Sequence, residues 1–137
     1  MIWVHFIVTA LVIGLRDITT HRIKRHEVNI AMLTLIPTMS WGSFHFAFIN
    51  LVIYSLARLG SKGHLGRGDV RLSPLIGIYA STYCRDLNDV IMINVITWSV
   101  AAIVAVTLLL ARRISASDPI AFAPFMFAGL ALHAGFY

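Results

Sequence analysis

Apolar residues run along this chain in six stretches, each bounded by charge or by breaking residues. Long apolar runs between such boundaries predict helices. The first runs from about Ile2 to Leu15. The second begins near Val28 and fades around Met39, where Pro37, Ser40 and Gly42 interrupt it. The third covers about Phe44 to Leu59, and the fourth starts after Asp69 and ends near Tyr83. The fifth covers about Val90 to Ala111, and the sixth starts at Pro119 and reaches the C-terminus. Several are shorter than the roughly 20 residues that cross a bilayer upright, so their helices should draw in flanking polar residues. The sixth has a readable start. Asp118 suits an N-cap, and Pro119 suits the first helical position, where its missing N–H costs nothing. Pro124 then falls inside that helix and is expected to kink it. No internal repeat or low-complexity segment is evident.

Composition turns these stretches into membrane spans. Of 137 residues, 58% are hydrophobic and 12% charged, and mean hydropathy is +0.82. A soluble chain is usually about 45–50% apolar and about 25% charged. The balance excludes a soluble enzyme and a disordered chain. The expected architecture is an all-α membrane protein, a bundle of about six transmembrane helices forming one domain over residues 1–137.

Charge gives that bundle an orientation. No basic region precedes the apolar run at Met1, so the N-terminus reads as a first span rather than a cleavable signal. Three loops carry the cations: Arg16, Arg22, Lys24 and Arg25; then Arg58, Lys62, Arg67 and Arg71; then Arg112 and Arg113. Only Arg85, of 11 basic residues, lies on the other side. Cytoplasmic loops collect Lys and Arg, so both termini are expected outside. The cations read as topology and lipid-headgroup contacts, with no nucleic-acid role.

Candidate chemistry is sparse. The one cysteine, Cys84, forms no internal disulfide and no four-cysteine zinc site, and reads as a small buried hydrophobe. His26-Glu27 lacks a second histidine at metalloprotease spacing. No metal and no cofactor are expected. His21, His26 and His64 fall in basic loops and should be solvated. His5, His45 and His133 fall in or near spans and suit hydrogen-bonded packing. Trp3, Trp41 and Trp98 suit interface anchoring or packing.

The carboxylates are Asp17, Glu27, Asp69, Asp86, Asp89 and Asp118. Asp86 and Asp89 lie on the outer side and read as a solvated loop. Glu27 suits pairing with Arg22, Lys24 or another loop cation. Asp17 sits at the inner end of the first span, where a helix dipole disfavours a carboxylate. Its simplest role is an ion pair with Arg16 or Arg22, but an ionisable residue at membrane depth is also a functional candidate. Asp69 enters from the same side, in Gly66-Arg67-Gly68-Asp69-Val70-Arg71-Leu72. Its simplest role is a helix N-cap. Gly66 and Gly68 add more, because glycine lets another backbone come close. Two carboxylates on separate helices facing one water are the apparatus of an aspartic protease. The ionised one takes a proton from water and the protonated one donates to the scissile carbonyl.

These residues resemble the type IV prepilin peptidase family of membrane aspartic proteases. Asp17 followed six residues later by Ile23 looks like the family's Asp-x5-Ile-Pro-Asn. Gly66 to Leu72 is similar to Gly-x-Gly-Asp-Val-Lys-Leu, with Arg71 for Lys. Ile120-Ala121-Phe122-Ala123-Pro124-Phe125 looks like the late Ile-Pro-Phe-Gly/Ala-Pro-Phe block. Lys24 and Arg25 replace Pro-Asn, and Ala121 replaces a proline. The resemblance implies a catalytic pair, Asp17 and Asp69, with Gly66 and Gly68 shaping the substrate loop. It implies a short, peptidase-only member without the zinc-cysteine and methyltransferase parts, similar to those of Tad/Flp pilus systems and to archaeal preflagellin peptidases, the bacterial pilus reading being favoured. The implied substrate is a prepilin or pseudopilin, whose basic leader is cut off at the cytoplasmic side of the inner membrane. Two other readings compete. One is an inactive relative that binds pilus components, suggested by Lys24, Arg25 and Ala121. The other is a small transporter or proton-path subunit, which would hold its carboxylates nearer mid-membrane.

Overall fold

A computed structural model of the chain describes residues 2–62, 65–115 and 118–135; His64 lies outside them. They form α1 (Ile2–Thr20), α2 (Arg25–Leu35) with a 3-10 turn at Ile36–Thr38, α3 (Trp41–Gly60), α4 (Arg67–Ala80), α5 (Leu87–Leu110) and α6 (Ala123–Ala134). The described residues contain no strand, so the molecule is all-α. α1, α3 and α5 are long and apolar enough to cross a membrane. α2, α4 and α6, at 11, 14 and 12 residues, are shorter. At about 1.5 Å rise per residue, α4 extends only about two-thirds of a hydrocarbon core about 30 Å thick.

Cross-helix contacts fix the alternation of direction. The Thr34 and Tyr79 hydroxyls bond the two ring nitrogens of His5, each at 2.6 Å, joining the start of α1 to the ends of α2 and α4. Ser43 in the first turn of α3 bonds Ser81 just past α4, at 2.8 Å. At the opposite end the last turns of α1 meet the start of α6 through Asp17 and Ala123. The chain is therefore an up-and-down bundle. One end gathers ten of the 11 Lys and Arg residues, and Arg85 is at the other.

α4 is the central helix. From Leu72 to Ala80 every residue but Pro74 is buried, and α4 packs against α2, α3 and α6. Gly77 permits this: a Cβ there would lie 2.6 Å from the Ala47 Cα of α3. Asn50 of α3 donates to the Ser73 carbonyl at 3.2 Å and accepts from Asn94 of α5 at 2.8 Å. These buried amides tie three helices where lipid offers no partner. The outward surface is apolar: α1 exposes Val4, Ile7, Val8, Leu11, Val12, Leu15 and Ile18. A soluble monomer seldom leaves so continuous a stripe uncovered, so the surface fits a bilayer.

Two expectations are corrected. Helix α6 begins at Ala123, not Pro119, and Asp118 is not its N-cap. The Asp118 carboxylate instead accepts from the Ser115 N–H at 2.7 Å. A helix from Pro119 would meet Pro124 in its interior, where the ring clashes with the carbonyl four residues earlier. Starting at Ala123 puts Pro124 in the first turn, where it removes no bond and produces no kink. Asp89 is also not a solvated loop residue. It is buried at the third position of α5 and accepts from the Arg85 N–H at 2.7 Å, while Asp86 caps the helix by accepting from the Asp89 N–H at 3.2 Å.

Candidate active site

Asp17 lies one turn before the end of α1 and is 5% exposed. Its Oδ2 accepts from the Ala123 N–H at 2.9 Å, across 106 residues of sequence. That N–H is free to do so because residues 119–122 are not helical; in a helix from Pro119 it would bond the Pro119 carbonyl. The positive end of α6 therefore points at the Asp17 carboxyl. The expected ion pair of Asp17 with Arg16 or Arg22 is replaced by this backbone contact. Arg16 pairs instead with Glu27, tying the end of α1 to the start of α2.

Asp69 is the third residue of α4 and is 7% exposed. It is not the N-cap. Gly66 holds that place, and its N–H donates to Asp69 Oδ2 at 3.1 Å. The carboxylate folds back so closely that a Cβ on Gly66 would lie 2.7 Å from Oδ2. Gly68 serves differently: its missing side chain leaves room for Ile23, whose Cβ would be 3.0 Å from a Cβ at position 68. Ile23 thus wedges the loop after α1 against the first turn of α4.

That first turn lies between exposed Arg67 and Arg71, ahead of the apolar part of α4. Burial pushes the Asp69 carboxyl up to about 7, and the nearby Asp17 carboxylate adds to the rise. The Gly66 N–H and the Arg58 guanidinium pull the other way. Arg58, at the end of α3, also donates to the Leu65 carbonyl at 2.6 Å, just ahead of the N-terminus of α4. Its sequence context marks it only as one of several loop cations.

Asp17, Gly66, Gly68 and Asp69 line one cavity of ≈ 990 Å³ with Arg22, Arg67 and Arg71 at its rim. Asp118, Ile120 and Phe122 form another wall. The three sequence blocks therefore meet at one end of the bundle. An adjoining apolar groove of ≈ 540 Å³ shares His21, Asp118, Pro119 and Ile120 with the cavity and continues along Ile18, Val104, Leu108 and Phe125. Lys24 and Arg25 are exposed at the start of α2 and do not line the cavity, whereas Ala121 lines the groove. Two carboxyls of unlike environment facing one polar cavity have the makings of an acid–base pair. No protein-family model, curated protein or solved structure matches this chain.

Proposed function

We propose that the chain is a membrane aspartic endopeptidase using Asp17 and Asp69. The carrying observation is that these two buried carboxyls, from helices far apart in sequence, line one cavity at the cation-rich end. Asp69 holds the shared proton, because burial and its neighbour's charge disfavour its ionised form. Asp17, held by the Ala123 N–H, takes a proton from water as the oxygen attacks the peptide carbonyl. Asp69 donates to the carbonyl oxygen. Collapse of the tetrahedral intermediate then breaks the C–N bond, and a proton passes to the leaving amine.

Within that class we assign the chain to prepilin leader cleavage. The resemblance of the blocks at Asp17–Ile23, Gly66–Leu72 and Ile120–Phe125 supports this substrate, a prepilin or pseudopilin. The polar cavity suits an extended segment at the cut, and the adjoining groove suits the apolar helix behind it. On this reading the bundle spans the inner membrane with its cation-rich end and active site in the cytoplasm and both termini outside. The short helices α2, α4 and α6 pack as inner parts of the bundle among the long spans α1, α3 and α5.

The test is co-expression with candidate prepilins, following leader loss by gel shift. Cleavage is expected from the parent. Asp17→Asn and Asp69→Asn should each lower it at least about a hundredfold, the low end of what a positioned acid or base supplies. Cleavage surviving either change, at equal membrane insertion, removes the catalytic pair. A well-inserted parent that cuts no candidate favours an inactive, pilus-binding relative.

A further inference from the structure

At the end of the bundle away from the aspartate cavity, Cys84, Asp89 and His133 converge. They come from the loop after α4, the first turn of α5 and the last turn of α6. All three are buried, and one ligand atom from each — the thiol sulfur, a carboxylate oxygen and a ring nitrogen — lies within 4.8 Å of the others. His133 Nε2 is 3.6 Å from Asp89 Oδ1. With metal–ligand bonds of about 2.0–2.3 Å, two ligands on one tetrahedral zinc ion stand about 3.3–3.6 Å apart. We propose that Cys84, Asp89 and His133 bind a single zinc-class divalent ion, which staples the far end of the bundle.

Two observations carry this. The donor set is the first: a thiolate and an imidazole select zinc over magnesium or calcium, and a carboxylate completes three protein ligands with one position left for water. The second is preorganisation. Asp89 Oδ2 is held by the Arg85 and Asp86 N–H groups at 2.7 and 3.4 Å, which turns Oδ1 towards His133. Cys84 is fixed by its own N–H, which donates to the Ala80 carbonyl at 2.8 Å. Such supporting bonds keep ligands in place before the ion arrives. Binding the ion would displace the thiol proton to solvent.

The ion would join the α4–α5 turn to the end of α6. This inference does not rest on the peptidase reading. The site and the aspartate cavity share no residue.

The test uses the full chain in detergent micelles, stripped with a chelator and titrated with Co²⁺. The expected result is one Co²⁺ per chain with a thiolate-to-cobalt absorption band in the near ultraviolet, displaced by Zn²⁺. The thermal midpoint should rise when Zn²⁺ is returned. Cys84→Ser should lose the band. Asp89→Asn and His133→Gln should weaken binding by more than the about 10–100-fold that loss of a merely supporting neighbour costs. A folded parent that gives no sulfur band overturns the proposal, and this reading needs no variant to fold. A band that persists in Cys84→Ser overturns it equally.

Discussion

At the scale of single residues, Asp69 makes the sharpest claim. Folded, it releases its proton near pH 7; unfolded, near 3.8. Across that window the folded chain binds more protons. The group's contribution to stability is therefore intact below the unfolded value and lost as pH rises through the folded one. Asp69→Asn keeps an oxygen to accept from the Gly66 N–H and has no charge to bury. It should gain thermal stability over the parent as pH is raised from about 4 to about 8, with the difference vanishing at the acid end. On the proposed mechanism the same proton sets activity. Cleavage by the parent should decline as pH rises past about 7, and Arg58→Gln should move that decline to higher pH, because the guanidinium opposes the rise in the Asp69 value. A pH–rate profile in micelles tests both. A decline that stays fixed in Arg58→Gln would separate it from Asp69.

At the scale of elements, α4 depends on close approach to α3. A Cβ at Gly77 runs into the backbone of Phe46 and Ala47, whereas a Cβ at Gly60 meets nothing within 4 Å. Backbone cannot step aside as a side chain can, so Gly77→Ala must part the helices. It should cost about 1–3 kcal/mol, the usual cost of overpacking. Gly60→Ala should be close to neutral. Unfolding in mixed micelles compares the two, and equal losses would refute the packing argument. What the sequence did and did not make legible divides along the same line. Apolar runs were enough to locate the helices, and the spacing around Asp17 and Asp69 was enough to mark the candidate pair. The start of α6 was not legible, because two proline signals, Pro119 and Pro124, compete. The start at Ala123 leaves that residue's N–H for Asp17, 106 residues away. The burial of Asp89 did have a local signal, since Asp86 and Asp89 hold capping-box spacing, but the charge pattern around them read as loop. The Asn50–Asn94 bond had none, because an apolar run does not disclose which of its polar residues face inward.

At the scale of the whole molecule, the bundle is electrically lopsided. The end that holds Asp17 and Asp69 also holds the cationic loops, while the end with Cys84, Asp86 and Asp89 carries Arg85 alone. An anionic leaflet and the positive-inside bias both favour the cation-rich end in the cytoplasm. The parent's own cysteine makes this testable without a cysteine-free background. Cys84 is buried, so it should resist a membrane-impermeant maleimide. Exposed Lys24 and Arg113 lie at the aspartate end and exposed Asn88 at the other. In intact cells Asn88→Cys should label from outside, while Lys24→Cys and Arg113→Cys should label only after the membrane is opened. The opposite pattern would put the aspartate cavity outside the cell. A cytoplasmic leader could not reach it there, and the prepilin reading would fail even if Asp17 and Asp69 remained a working acid–base pair.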